Sequence, residues 1–363
     1  MGCYEISRIL FNKTIGLVSA GLYIICPFVL LYDRMALADG ILSAFSTLTL
    51  LWSISIIKEP KKEYVWLLGV SIALGILTKI FPGIVLLSTP LIVWLCLPKR
   101  KKSGLLRYFR NVYLLAIGFN LIPICIFFKK TTQIVEKSVF APTSFDFLQN
   151  FSSNVKMASE WLWAYWTPTV MILGMIGFIM ALVKKQREAI LLSILVLFPI
   201  VAIAGISRVL FPRYILFVTV PFLILTSWSL VHLKNILEVW GMKIVGQSEH
   251  IVVNAIISFL FFVILFFPAR RIDYYLWTDP SRAPLPRIER IQYVEEWPSG
   301  YGVKEAVIDL LKEAERHPEG IVVVHHELAD TTHFGLRVYL MREPRINLQR
   351  LDLNKAESFL SLI

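Results

Sequence analysis

What most constrains this chain is a repeated pattern of apolar runs. Between Thr14 and Pro268, stretches of roughly 17 to 22 residues recur with few charges, and a helix needs ~20 such residues to cross the hydrocarbon core of a bilayer. The runs fall at about 14–31, 36–57, 64–78, 83–97, 112–128, 168–183, 189–206, 214–231 and 251–268. They predict an all-α polytopic membrane bundle of about nine transmembrane helices over residues 1–268, with the fourth and sixth runs short. A hydrophobic content of 56% in 363 residues and a mean hydropathy of +0.65 exclude an ordinary soluble protein.

Loop charge sets the expected orientation, because short cytoplasmic loops accumulate Lys and Arg. With the N-terminus in the cytoplasm and strict alternation, the cytoplasmic loops hold 16 Lys and Arg, densest at Lys99, Arg100, Lys101, Lys102, Arg107 and Arg110, and the opposite loops 8. Lys129 and Lys130 are the discordant pair. The expectation is a multi-pass protein of the cell membrane, N-terminus inside and C-terminal domain outside. The formal charge of +11 divides into +13 before Ala269 and −2 after it, which fits topology and anionic headgroups rather than nucleic acid. The four cysteines, Cys3, Cys26, Cys96 and Cys125, lie at the extreme N-terminus or within spans, show no CxxC spacing and imply no disulfide framework or metal site. The first 13 residues lack a small-residue cleavage site.

Residues 269–363 carry 28 charged residues in 95 and are expected to form a separate soluble, extracytoplasmic α/β domain. Val303, Ala306, Val307, Leu310, Leu311 and Ala314 make a helical stripe ended by Pro318 and Gly320. Ile321–Val324 reads as a buried strand, and His333–Met341 as a second helix. His325, His326, Glu327 and His333 do not predict a metal site, since adjacent strand residues face opposite ways.

Two loops stand out. Residues 129–167 end in Trp161, Trp163, Tyr165 and Trp166, either a headgroup-level anchor or a platform for a prenyl chain or sugar ring. Lys79, Pro82 and Gly83 interrupt an otherwise apolar stretch and predict a tight outer hairpin. Under this topology Asp33, Arg34, Asp39, Lys79, Arg208 and Arg213 all fall at span ends on the non-cytoplasmic face. Singly, each has a plainer role as a snorkelling cation, a flanking charge or, for Asp39, a complement to a helix N-terminus; together they are candidates for one site.

Pro27–Leu50 (PFVLLYDRMALADGILSAFSTLTL) resembles the second outer-loop segment of the C-type membrane glycosyltransferases, which include the protein O-mannosyltransferases and the aminoarabinose transferase of lipid A. Gly75–Gly83 (GILTKIFPG) is similar to that family's Lys-containing hairpin, Phe211–Pro221 (FPRYILFVTVP) to its Arg-Tyr segment, and Gln292–Glu305 to the start of the soluble tail in prokaryotic members. The resemblance implies inverting transfer of a sugar, mannose-like or otherwise, from a polyprenyl- or dolichyl-phosphate carrier to a protein, glycolipid or polysaccharide acceptor, without a cofactor or metal. Arg34, Lys79, Arg208, Arg213 and Tyr214 would bind the donor, with the cations neutralising the leaving phosphate. Asp39 matches the second-loop acid, with acceptor positioning or support of the base as its role.

The family's principal catalytic Asp lies in a large first outer loop, and nothing before Ile15 resembles it, while Tyr4–Ala20 is similar to the stretch entering the family's third span. The expectation is therefore an N-terminally incomplete chain, with a possible truncation after Ile363, inactive by itself. A transporter is the rival reading, disfavoured by ionisable residues at one face and no visible inverted repeat; a polysaccharide ligase or polymerase is disfavoured by the absence of an Arg- and His-rich outer loop.

Overall fold

A computed structural model of the chain describes residues 1–35, 37–97, 102–126, 147–207, 210–245, 250–295, 302–325 and 330–350. The chain divides into two compact units, Met1–Ala283 and Pro284–Ile363.

The first unit is helical. Helices α1 (Gly2–Leu10) and α2 (Lys13–Ile24) pack closely, with Asn12 capping α2 through Ile15 N at 2.9 Å and the hydroxyls of Ser7 and Ser19 meeting at 2.7 Å in the interface. Pro27 disfavours helix at the residue before it, so α2 ends and α3 (Pro27–Tyr32) starts on that proline. Then come α4 (Ala38–Lys58), α5 (Lys62–Thr78), α6 (Ile80–Val85), α7 (Ser88–Cys96) and α8 (Lys102–Ile126). After them lie α9 (Phe147–Tyr165), α10 (Pro168–Val183), α11 (Arg187–Ile206), a 3₁₀ turn at Pro212–Val218, α12 (Thr219–Val245) and α13 (His250–Thr278).

Nine full spans are not what the described residues form. Four helical segments, Ala38–Lys58, Arg187–Ile206, Pro212–Ile244 and His250–Thr278, are long and apolar enough to cross a membrane, or five if a bent pair counts as one. The run at 14–31 is split before Pro27, and the run at 83–97 is divided between α6 and α7. Helices α5 and α10, at 17 and 16 residues, reach only about 25 Å. The bent pair is α9 and α10, which meet at 117° across Thr167, whose φ of +63° precedes Pro168. Part of the expected loop 129–167 is thus helix, while residues 127–146 lie outside the described residues.

Two apolar clusters hold this unit together. One gathers Ile6, Ile15, Leu50, Ile54, Leu192, Ile224 and Trp228 from α1, α2, α4, α11 and α12; the other joins Ile56 of α4 to Leu68 and Ile72 of α5 and Phe109 and Val112 of α8. The aromatic end of α9 is interior: Trp166 stacks on Phe222 at 3.7 Å and donates its indole N–H to Thr219 Oγ1 at 3.3 Å, while Tyr165 stacks on Phe28 at 4.9 Å. Trp163 alone of the four aromatics is exposed.

The second unit is smaller than the α/β domain expected over 269–363. Residues 269–278 belong to α13, so the change in composition falls inside a helix. Helix α14 (Arg287–Arg290) opens the unit, followed by α15 (Val303–Arg316), β1 (Ile321–His325), α16 (Asp330–Leu340) and β2 (Ile346–Arg350). The strands form one two-stranded parallel sheet, with Ile321 opposite Ile346. Val303, Val307, Ala314, Leu336, Leu340 and Ile346 make its core, with Leu310 and Leu311 packed against it, so the helical stripe read from sequence is the packed face of α15 except for Ala306, which is exposed.

Candidate functional site

The hairpin between α5 and α6 fixes Lys79. Its backbone is extended, its N–H caps α5 on Gly75 O at 3.2 Å, and its carbonyl receives Gly83 N at 2.8 Å. The turn needs glycine at 83, where a Cβ would come within 2.6 Å of Ile76 Cα and 2.7 Å of Gly75 O. Held this way, the lysine reaches Asp39 in the first turn of α4, with Nζ 2.5 Å from Oδ1. The same ammonium lies 4.1 Å from the centroid of the Tyr214 ring, a cation–π contact.

Tyr214 comes from the 3₁₀ turn after α11. Arg213 beside it packs its guanidinium over Phe211 at 4.9 Å and lies 5.8 Å from the Tyr214 ring centroid. Four residues from three segments, Asp39, Lys79, Arg213 and Tyr214, therefore form one group. Asp39 is 4% exposed and Tyr214 is buried, whereas Lys79 keeps 23% of its side-chain exposure and Arg213 is half-buried. Burial, together with the field of Arg213, lowers the Lys79 pKa from its ordinary value, and Asp39 opposes that shift.

Arg34 is placed differently. It is exposed, donates from Nη1 to Leu276 O at 2.7 Å, and lies 4.7 Å from the Trp277 ring centroid. Its described contacts thus fasten the loop after α3 to the end of α13. Asp33 accepts from Tyr23 Oη at 2.7 Å. Arg208 lies outside the described residues, as do His326 and Glu327. Among the described residues, no three His, Cys, Asp or Glu side chains gather as metal ligands. Trp277 was missed by sequence reasoning, although the Tyr274, Tyr275, Trp277 cluster at the end of α13 was a signal for it.

The group combines two cations, one still accessible, with an aromatic ring and a carboxylate that orients one of the cations. It suits an anion brought to the end of a helical bundle, with Arg213 able to offer a forked contact and Lys79 a point charge. Residues 1–127, which include Asp39 and Lys79, match the family model for dolichyl-phosphate-mannose-protein mannosyltransferase. The matched stretch covers about a third of the chain and makes that part similar to a C-type membrane glycosyltransferase family. No curated protein matches it. Among solved structures, the oligosaccharyltransferase of Archaeoglobus fulgidus in its apo form is similar at 12% identity and a TM-score of 0.49, over 95% of this chain and 51% of that one. This chain therefore spans about half the length of that structure. Asp39 and Lys79 stand in the matched segment, and Arg213 and Tyr214 join them from beyond it.

Proposed function

We propose that this protein is an integral-membrane glycosyltransferase that moves a sugar from a polyprenyl- or dolichyl-phosphate carrier to an acceptor at the non-cytoplasmic face. The observation that carries the reading is the convergence of Lys79 with Asp39 and Tyr214, with the Arg213 guanidinium 5.8 Å from the same Tyr214 ring. A lipid phosphate at headgroup depth would meet two cations prepared for it, and the hydrophobic bundle would accept its prenyl chain.

In the proposed reaction an acceptor hydroxyl or amine attacks the anomeric carbon from the face opposite the phosphate. The carbon–oxygen bond to the phosphate breaks, its electron pair leaves on the phosphate oxygen, and the configuration inverts. Lys79 and Arg213 stabilise the charge that grows on that oxygen, which is where fixed cations contribute most. Tyr214 shields the Lys79 ammonium from water on one side. Asp39 is a positioning residue: it holds Lys79, and a separate carboxylate takes the acceptor proton. Arg34 steadies the neighbouring loop against α13. An outward-facing tail and a cytoplasmic N-terminus complete the proposed arrangement, with the tail helping to select the acceptor.

The test is chemical. Membranes containing the full-length protein are supplied with a radiolabelled polyprenyl-phosphate sugar, and free polyprenyl phosphate is measured alongside labelled acceptor. With a second polypeptide present to supply the acceptor-side carboxylate, equimolar release and labelling are expected, both lost in Arg213→Ala. Vesicle uptake of intact sugar without release of polyprenyl phosphate would instead identify a transporter.

A further inference from the structure

A second polar site lies at the other end of α5. A groove of about 830 Å³ runs between the start of α5 and the first half of α8. The two helices run side by side in the same direction: a Cβ on Gly69 would meet Leu115 at 2.9 Å, and Asn120 Nδ2 lies 3.5 Å from Ala73 O. Their N-terminal ends are therefore level, which brings Lys62 and Arg107 to one end of the groove with Asn111 a turn further along α8. Deeper along the same groove the lining is Trp66, Leu114 and Leu115.

That gradient has the polarity of a phospholipid. Lys62 and Arg107 are exposed, and among the described residues neither has an ion-pair or hydrogen-bond partner. Of the nearby carboxylates, Glu59 is held by Lys61 at 3.0 Å, and Glu63 is exposed beside Lys62 without lining the groove. Trp66 is 56% exposed one turn below Lys62, a position typical of indoles at the boundary between headgroups and hydrocarbon. The groove's volume is that of a small-molecule site. Its distance from Lys79 is set by the 17 residues of α5, about 25 Å, so the two sites are separate.

We propose that this groove binds one anionic diacyl phospholipid, its phosphate between Lys62 and Arg107 and an acyl chain along Trp66 and Leu114. Two cations near a headgroup strengthen binding of an anionic lipid over a zwitterionic one by about 10- to 30-fold. The inference is independent of the glycosyltransferase reading.

Delipidated full-length protein in a neutral detergent is titrated with phosphatidylglycerol, phosphatidylcholine or inorganic phosphate, and bound lipid is counted by native mass spectrometry. Saturable binding of one phosphatidylglycerol is expected, weakened by about 10-fold or more in K62A/R107A and unchanged in the control K184A/R187A, which removes two cations from another loop. Equal affinity for phosphatidylcholine, unchanged affinity in K62A/R107A, or inorganic phosphate competing as well as the lipid would overturn the proposal. Arg107→Gln is read separately, so that poor folding of the double variant leaves a decisive measurement; unchanged affinity there also counts against it.

Discussion

Lys79 and Asp39 are joined across two helices, the ammonium 2.5 Å from a carboxylate oxygen that is almost wholly buried. The pair is held by backbone on both sides: Asp39 sits in the first turn of α4, where the helix dipole favours a negative charge, and Lys79 caps α5. Removing either partner leaves the other inadequately compensated.

A double-mutant cycle with Asp39→Asn and Lys79→Met should therefore be non-additive. Each single change is expected to cost about 1–3 kcal/mol in unfolding free energy measured in detergent, and the double change less than the sum, with a coupling of about 1–2 kcal/mol. Additive costs would show that the two side chains do not interact.

The depressed pKa of Lys79 makes a prediction about pH. Burial and Arg213 destabilise its charged form while Asp39 favours it, so it loses its proton at a pH below that of an ordinary lysine, 10.5. By linkage, the folded state binds fewer protons than the unfolded one between the lowered value and 10.5, so this residue's contribution to stability rises with pH across that window. Phosphate binding should do the reverse and weaken as pH rises through the lowered value. A non-titrating phosphodiester ligand followed from pH 7 to 10 should show the loss in the wild type, and Lys79→Arg should remove it.

Packing around Trp166 gives a stability prediction free of any functional assumption. A Cβ on Gly174 would lie 2.2 Å from Phe222 Cζ and 3.0 Å from Thr226 Oγ1, and Phe222 is already stacked under Trp166. Gly174→Ala should destabilise by about 1–3 kcal/mol through overpacking. Gly21→Ala, where nothing lies within 4 Å, should be neutral or slightly stabilising, as expected for an open helical site. Similar thermal shifts for both would contradict this packing.

Arg34 separates two roles. Because its described contacts are to Leu276 O and Trp277, Arg34→Ala should leave phosphate affinity within about twofold while accelerating proteolysis at the end of α13, since one hydrogen bond from a charged donor contributes about 1.5–3 kcal/mol to that attachment. A large loss of phosphate affinity in Arg34→Ala would return it to the donor site.

The helical, membrane-type character of the chain was legible because runs of apolar residues leave few alternatives, and the α15 stripe was legible because its period is regular. The number of crossings was not. Apolar composition does not reveal where a helix breaks, and both α6 and α10 begin at backbone features, an extended Lys79 and a positive-φ Thr167. Helix α9 could have been found: Asn154, Ala158, Trp161, Leu162 and Tyr165, all buried, follow helical spacing, but the aromatics looked like an interfacial belt. β2 was missed because five residues, Ile346–Arg350, alternate too briefly to stand out. At the site, motif order singled out Asp39, Lys79, Arg213 and Tyr214, yet only coordinates could say that Asp39 faces Lys79 while Arg34 turns to α13.

The most direct measurement is the affinity of the purified full-length protein for a polyprenyl phosphodiester, compared between wild type and Lys79→Met/Arg213→Ala, with an uncharged polyprenol of the same length as reference. Two lost charge-assisted contacts predict a fall of about 100-fold or more for the phosphodiester, with polyprenol binding unchanged in a less stable variant that is still folded under the assay conditions. Phosphodiester affinity equal in the two proteins would contradict the account.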